Sequence, residues 1–333
     1  MNGTQRDADR PDISVVIPTR NRRRLLALAL ASVLDQRGVR LEVIVVDEAS
    51  TDDTVGMIRS IADPRVRLVR HAVPLGKSAA RNRGIAESAG DWIAFLDDDD
   101  LWAPDKLRLQ LQALRAERRA WAYTGAVNIT DDHRILGGAP PRAPEEIARS
   151  LPRVNGVPGG CSTVLVRKET LPRDGFDRRY RLCEDWDLWI RLARTGLPAC
   201  VPHPLVGYRV HGGNSSMDTA RFLAELDMIE KQYGGPVDRV VFYRHLARVC
   251  LRMNRQWPAV GFYLRAAGRD PGSYLIRGFV SDAAGVFRSF ADRFRQRLGW
   301  PRRSSSETLT HPDTLWKEEA RVWLEQFVHR HPL

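Results

Sequence analysis

The stretch WIAFLDDDDLW, residues 92–102, decides how this chain is read. An apolar run from Trp92 to Leu96 leads into Asp97, Asp98, Asp99 and Asp100, and Leu101-Trp102 turns apolar again. Such a run, bounded so abruptly, reads as a buried strand whose carboxyl end carries side chains to the edge of an open α/β sheet. Four adjacent carboxylates repel one another, so a fold that keeps them together has to supply positive charge. A divalent cation with oxygen ligands, Mg²⁺ or Mn²⁺, is the natural supplier. The competing reading is an acidic turn that caps a helix starting near Pro104. The buried run before the acids and the Leu101-Trp102 pair after them weigh against it.

Upstream, residues 13–17 (ISVVI), 41–46 (LEVIVV) and 66–70 read as further strands. Between them, residues 22–36 place Leu25, Leu26, Ala29, Leu30, Val33 and Leu34 at helical spacing, and Thr51 or Asp52 can cap a helix over about 53–62. Gly76 precedes a helix over about 77–89 that Gly90 would end, and a helix begins after Pro104 and runs to about 119. Strands alternating with helices indicate a parallel sheet covered on both faces. Beyond residue 120 the pattern changes. Short strands are expected near 121–128, 162–167 and 206–210, and a helix over about 185–195 carries Trp186, Leu188, Trp189 and Leu192. GGAPPRAPEE (137–146) reads as a loop long enough to serve as a flexible lid or an acceptor loop. From about 219 the chain reads as helical, with a hairpin over 238–271, a linker at 301–313 and a short terminal helix bearing Trp316, Val322, Trp323 and Phe327.

Other chemistry-bearing segments accompany the aspartates. VVIPTRN (15–21) ends a strand with a proline turn and exposes Thr19, Arg20 and Asn21. VVDEASTDDT (45–54) puts Asp47 at a strand's carboxyl end, where a carboxylate can accept from a base N–H or a ribose hydroxyl. GKSAARNRGI (76–85) offers Lys77, Arg81 and Arg83 to phosphates. It is not a P-loop, because His71 stands where the first glycine is required. CEDWDLWIRL (183–192) opens a helix with Glu184 and Asp185, a position that a structural cap also explains. YRVHGGNSS (208–216) presents His211 at a strand end, where a structural role is the commoner one.

In this order, IPTRN, VVDEASTD, GKSAARNRGI, FLDDDDLW, CEDWDLW and YRVHGGNSS closely resemble the family 2 glycosyltransferases, over about residues 12–216. The resemblance implies an α/β GT-A fold, a Rossmann-like mixed sheet flanked by helices, followed here by a C-terminal helical region. It implies a catalytic domain over 1–218, with a nucleotide-sugar half at about 12–102 and an acceptor half at about 103–218. The helical region would cover 219–300, and 301–333 the linker and terminal helix. It implies an inverting, metal-dependent transfer from a nucleotide-sugar, most often a UDP-sugar, in glycan assembly. Pro18, Thr19, Asn21 and Asp47 match positions around the base and ribose, with Lys77 and Arg81 as less strictly patterned polar contacts. The DxD motif falls on Asp97 to Asp99. Asp99 would bind the metal, Asp97 or Asp98 would contact ribose, sugar or metal, and His211 matches a further metal or phosphate contact. Asp185 matches the catalytic base. The acceptor would be a glycan, a lipid-linked sugar or a protein. The chain departs from the family at Glu48-Ala49, where Asp-Gly is common.

Composition sets the remaining bounds. At 333 residues with 43% hydrophobic content and nine tryptophans, a large core is within reach. The net charge of +11 is concentrated late: residues 235–333 hold 17 Lys and Arg against 9 Asp and Glu. Residues 273–300 mix Leu, Ile, Phe and Trp with arginines, a composition that suits either an anionic membrane surface or packing on the hairpin, and packing is favoured. WPAVGFYLRAAGRDP (257–271) resembles half of a tetratricopeptide-type repeat, a weak signal in one copy. No nucleic-acid-binding module is recognisable. Cys161, Cys183, Cys200 and Cys250 fit no zinc spacing and suit a reducing compartment. The polar N-terminus and the lack of any apolar run of about 18 residues point to a cytoplasmic protein, at most peripheral to the inner face of the membrane. Two rivals remain. A sugar nucleotidyltransferase would need a glycine-rich loop where Pro18-Thr19-Arg20-Asn21 stands. A carbohydrate-binding protein that has lost catalysis would have no use for the acidic run and Asp185.

Overall fold

The computed structural model describes residues 10–210, 218–252, 255–270 and 312–332. They fall into two compact units, one from residues 1–211 with 311–333 and one from 212–310. In the first unit the β-branched run becomes β1 (Ile13–Thr19), followed by α1 (Arg23–Leu34), β2 (Leu41–Asp47), α2 (Thr54–Ser60), β3 (Val66–Arg70), α3 (Lys77–Glu87) and β4 (Trp92–Phe95). After the aspartates come β5 (Leu101–Trp102), α4 (Lys106–Glu117), β6 (Trp121–Ile129), β7 (Ile135–Ala139), α5 (Pro144–Ser150), β8 (Leu165–Arg167), α6 (Glu184–Ala193) and β9 (Ala199–Arg209).

These strands make one mixed sheet in the order β3-β2-β1-β4-β8-β6-β9-β5, with β7 on β6. The first four run parallel. β8 is antiparallel to both β4 and β6, while β9 runs parallel to β6. Alternation along β1 and β2 divides two cores. Val15, Ile17, Val43 and Val45 join Leu26, Leu30, Val33, Ile58, Leu107 and Leu111 on one face. Ile44 and Val46 meet Ala80 of α3 on the other. There α3 lies close, because a Cβ at Gly84 would fall 2.3 Å from Val16 Cγ1.

Several local expectations are refined. α3 ends at Glu87 with Ser88 as its cap, and Gly90 serves packing instead: a Cβ there would meet Ser14 N at 2.7 Å. The strand expected at 206–210 is the end of the eleven-residue β9, which passes Pro202 and Pro204 through register shifts against β6. The 137–146 segment is only partly loop. Ile135–Ala139 pairs with β6, and Pro144 opens α5 with Glu145 and Glu146 in its first turn. Proline and acids in a first turn favour a helix start.

The terminal helix, α10 (Pro312–Arg330), belongs to the first unit and has 19 residues. Trp316, Ala320, Trp323, Leu324 and Phe327 form a core with Leu101, Val127, Ile129, Val201 and Leu205. Gly125 makes room for it, since a Cβ there would lie 2.2 Å from the Trp316 ring. The Trp323 indole N–H donates to Pro204 O at 2.8 Å.

The second unit contains α7 (Thr219–Tyr233), α8 (Arg239–Arg252) and α9 (Gln256–Arg269). α8 and α9 form the expected hairpin, with Tyr243 stacked on Phe262 at 6.2 Å between centroids. The 273–300 segment, most of the 301–313 linker and His211 lie outside the described residues. No described helix is long and apolar enough to cross a membrane.

Candidate active site

The carboxyl ends of β1, β2 and β4 bring the expected polar groups to one edge of the sheet. Pro18 pairs with Val46 and Thr19 with Asp47 across β1 and β2. Asn21 takes a left-handed backbone, φ 52°, and its side-chain oxygen accepts from Thr51 N at 2.7 Å. Asparagine tolerates that conformation better than most residues. Asp47 is fully buried and accepts from Ser50 N at 3.2 Å and from Arg70 Nε at 3.1 Å. Glu48 explains the departure from Asp-Gly: its longer arm turns inward to the ring of His71 and accepts from Leu75 N at 2.7 Å and from Gly76 N. Ala49, at the usual glycine position, has φ 55°.

The four aspartates do not share one environment. Asp98 accepts from Thr19 Oγ1 at 2.7 Å and from Arg22 at 3.3 Å, and Arg22 also pairs with Asp99. Asp97 pairs with Arg81. Asp100 is fully buried, accepting from Ser162 Oγ at 2.6 Å and from Arg209 N at 2.9 Å. Ser162 Oγ in turn accepts from Asp97 N at 3.0 Å. One serine, on a 3₁₀ turn at Gly160–Thr163, thus fixes both ends of the acidic turn. Burial first, and the neighbouring Asp99 charge second, push the Asp98 carboxyl up to about 7 against the pull of Arg22 and Thr19. The same forces raise Asp100 well above the usual carboxylate range.

Carboxylate oxygens of Asp97, Asp99 and Asp100 all lie within 4.8 Å of one another. Three hard oxygen donors at that spacing fit Mg²⁺ or Mn²⁺, which complete their shells with water or phosphate. Asp100 joins the expected Asp97 and Asp99 in this trio, while the third expected ligand, His211, lies outside the described residues.

Arg81 joins the acidic turn to α6. Its guanidinium, 1% exposed, pairs with Asp97 and, at 2.8 Å, with Glu184 Oε1, which also meets Lys77 Nζ at 2.7 Å. Burial would raise the Glu184 pKa, but Lys77 and Arg81 outweigh it and hold the carboxyl below its ordinary value. Glu184 Oε2 and Arg81 Nε are buried with no hydrogen-bond partner among the described residues. Asp185 accepts from Trp186 N at 2.6 Å, and its other oxygen lies against the 3₁₀ turn, 3.5 Å from where a Cβ on Gly160 would sit. Burial, then the Glu184 charge, push the Asp185 carboxyl up to about 6. The two neighbours are therefore opposites: Glu184 is an ion-pair member, and Asp185 is a carboxylate with raised proton affinity.

Several contributors were not singled out as site residues from the sequence. Arg22 directly follows the VVIPTRN segment, and Arg209 lies inside YRVHGGNSS. Arg209 is buried and donates to Asp99 O at 2.8 Å and to Thr130 O at 2.8 Å, with His133 Nδ1 3.3 Å away. Phe327 of α10 lies edge-on to His133. Tyr208 sits in the field of Asp100, Asp97, Asp99 and Asp185, and burial first, then those charges, raise its phenol far above normal.

Comparisons with known proteins bear on the family and the fold. Residues 14–168 match the family model described as glycosyl transferase family 2. TuaG of Bacillus subtilis, whose name assigns it to teichuronic acid biosynthesis, is 31% identical over 192 residues, which cover 57% of this chain and 75% of that protein. Succinoglycan biosynthesis protein ExoO of Rhizobium meliloti is 32% identical over 232 residues, 65% of each chain. WfgD of Escherichia coli, a UDP-Glc:α-D-GlcNAc-diphosphoundecaprenol β-1,3-glucosyltransferase, is 26% identical over 63% of this chain and 81% of its own. The chain spans about two thirds of ExoO and no more than 35% of two longer Rickettsia relatives. Among solved structures, residues 1–349 of S. aureus TarS in complex with UDP align with a TM-score of 0.54 at 16% identity, over 76% of this chain and 75% of that one.

Proposed function

The chain belongs to glycosyl transferase family 2, and from that membership we propose that it moves a sugar from a nucleoside diphosphate sugar, a UDP-sugar first, to an acceptor hydroxyl with inversion at the anomeric carbon. The observation that carries the reading is the Arg81 bridge. One buried guanidinium touches the acidic turn through Asp97 and the base helix through Glu184, next to Asp185. Donor-binding and base groups thus share one charge network.

In this reading Thr19, Asn21 and Asp47 shape the nucleoside end of the cleft, and Lys77 and Arg81 face the diphosphate. Asp97, Asp99 and Asp100 would hold a divalent cation, which when bound stabilises negative charge on the departing diphosphate. Asp185 removes the acceptor proton as that oxygen attacks the anomeric carbon. The new C–O bond forms while the bond to the diphosphate breaks, the proton stays on Asp185, and the nucleoside diphosphate leaves. Polysaccharide or lipid-linked glycan assembly is the setting that the relatives' names support.

The test is a panel of nucleotide-sugars with Mn²⁺, read by thermal shift and by the nucleotide released. Nucleoside diphosphate release from one donor is the expected result. Release of pyrophosphate would identify a nucleotidyltransferase, and donor binding with no turnover in the presence of an acceptor extract would identify a binding protein.

A further inference from the structure

In the second unit, α9 turns an apolar face toward solvent as well as toward its neighbour. Ala259, Phe262 and Ala266 are buried, and Phe262 stacks on Tyr243 of α8. A helix with 3.6 residues per turn is expected to carry polar residues on the side opposite to these. The residues that fall there are Trp257, Val260, Gly261, Leu264 and Gly268. Trp257 is 84% exposed, Leu264 67% and Val260 38%. A Cβ at Gly261 or Gly268 would meet nothing within 4 Å, so the two glycines leave a low ledge beside the large side chains. One exposed apolar residue is ordinary, but three in line on one helix face mark a surface that meets something apolar.

The border of the stripe is cationic. Residues 239–270 contain seven arginines and no lysine, with Asp270 as their one carboxylate. Arg239 is taken by Asp227 and Glu230 of α7. Arg265 and Arg269 lie one turn apart along one edge of the stripe, their guanidinium groups 5.5 Å from the Phe262 ring centre and 5.1 Å from that of Tyr243. Neither of them, nor the exposed Arg255 at the start of the helix, is paired with a carboxylate among the described residues. The occupant of this face therefore has to bring apolar matter and negative charge together. A second copy of the chain does not, because a two-fold interface sets a patch against itself and would oppose arginine to arginine. A bilayer of anionic phospholipid supplies both, and a tryptophan beside arginines suits its headgroup boundary.

We propose that α9 docks on anionic phospholipid surfaces, lying in the plane of the bilayer with Trp257, Val260 and Leu264 entering the boundary between headgroups and acyl chains and Arg265 and Arg269 meeting lipid phosphates. Three apolar side chains and a few cations give reversible attachment rather than insertion. The inference concerns the second unit alone and stands or falls separately from the transferase reading.

The test is co-sedimentation of the full chain with vesicles of equal parts phosphatidylglycerol and phosphatidylcholine, against phosphatidylcholine alone. The wild type should bind the mixed vesicles at least about ten-fold more tightly than the neutral ones, and high salt should erase that margin. Trp257→Ala combined with Leu264→Ala should weaken binding about 30-fold. Arg265→Gln combined with Arg269→Gln should weaken binding to the mixed vesicles about ten-fold and leave the neutral ones unaffected. Arg149→Gln combined with Arg153→Gln removes the same charge from exposed positions of the first unit and should change binding by less than about two-fold. Lipids with brominated acyl chains should quench the tryptophan fluorescence of the wild type more than that of Trp257→Phe. Every substituted side chain is exposed, so circular dichroism should match the wild type throughout. No binding to the mixed vesicles, full binding by the Trp257→Ala, Leu264→Ala variant, or equal quenching in Trp257→Phe would overturn the proposal. An equal loss in the Arg149, Arg153 control would reduce the effect to net charge and overturn it too. A dimer that Trp257→Ala dissociates, read by analytical ultracentrifugation without lipid, would give the stripe to a second copy instead.

Discussion

The half of the sheet proposed to bind the donor and the half proposed to bind the acceptor, called below the donor half and the acceptor half, are built by different means. From β1 to β4 every strand is parallel to its neighbour, and each crossover is a helix of local sequence. Beyond the acidic turn parallel and antiparallel pairings mix, and long-range bonds tie the strands together. Trp102 donates to Ser162 O, Trp186 to Leu151 O and Trp323 to Pro204 O, spanning 60, 35 and 119 residues. Each of these three indoles fixes a remote backbone carbonyl as well as filling space. The donor half is thus built from segments adjacent in sequence, while the acceptor half is assembled from distant pieces. Under the proposed mechanism, binding of the nucleotide-sugar should depend on the first and proton removal on the second.

The largest expected effects test that division. Asp99→Ala, or chelation by EDTA, should lower turnover by more than about 1,000-fold and should also weaken donor binding. Asp185→Asn should lower turnover by about 10²–10⁴-fold while donor affinity, measured by calorimetry, moves little. Circular dichroism of each variant controls for unfolding. Full turnover in metal-free buffer would remove the cation from the proposal. An active Asp185→Asn enzyme would remove the base, and an equal loss of donor affinity in both variants would erase the distinction between the halves.

A second prediction concerns stability. Trp316 is nearly buried against Gly125 of β6, although it arrives from the far end of the chain. Trp316→Ala should cost about 3–5 kcal/mol, read from the urea midpoint at constant m-value. The acceptor half, which depends on α10, should lose structure first, so hydrogen exchange at β6 and β9 should rise more than at β1 and β2. Uniform loss of protection across the sheet would show that the halves unfold as one unit.

The same division governs what the sequence reveals. The strands of the donor half are short apolar runs between capped helices, and their order and the polar residues at their ends are legible from spacing alone. The acidic turn is legible as a cluster, but the different fates of its members are not. Asp98 is claimed by Thr19 and Arg22, and Asp100 by Ser162 and Arg209, across separations of 62 to 109 residues. Nothing local to Ser162 marks it. Arg209 lies within YRVHGGNSS, where the resemblance points to His211 and nothing local marks the arginine. Gly137-Gly138 reads as loop because glycine is a breaker, whereas in the fold Gly138 is demanded by packing: a Cβ would press on Val127 Cγ1 at 2.9 Å. Composition reports flexibility there, and only the neighbouring strand shows that the residue is small for closeness. Glu48-Ala49 is the reverse case. The departure from Asp-Gly is visible in the sequence, but the partners that the longer arm reaches, His71 and the Leu75 and Gly76 amides, are not.

The smallest expected effect lies where the two halves touch. Asp185, on the acceptor side, is raised to about 6 by burial and by Glu184, while Lys77 and Arg81 from the donor half pull it down. A base must be ionised, so kcat should fall ten-fold per pH unit below about 6. Lys77→Met removes one downward pull and should move that acid limb to higher pH, by less than about one unit given solvent screening. Glu184→Gln removes an upward push and should move it lower. Stability follows with opposite signs. Because the folded pKa of Asp185 exceeds the unfolded value, its ionisation works against folding, and stability is lost as pH rises from about 4 to about 6. Asp185→Asn should therefore be more stable than the wild type at pH 7, by roughly 3 kcal/mol at most, and no more stable at pH 4. Glu184, held below its ordinary pKa, contributes stability that is present at neutral pH and lost in acid. If Lys77→Met leaves the acid limb unmoved, donor-half charge does not reach the base, and the Arg81–Glu184–Lys77 network holds the two halves together without tuning the chemistry.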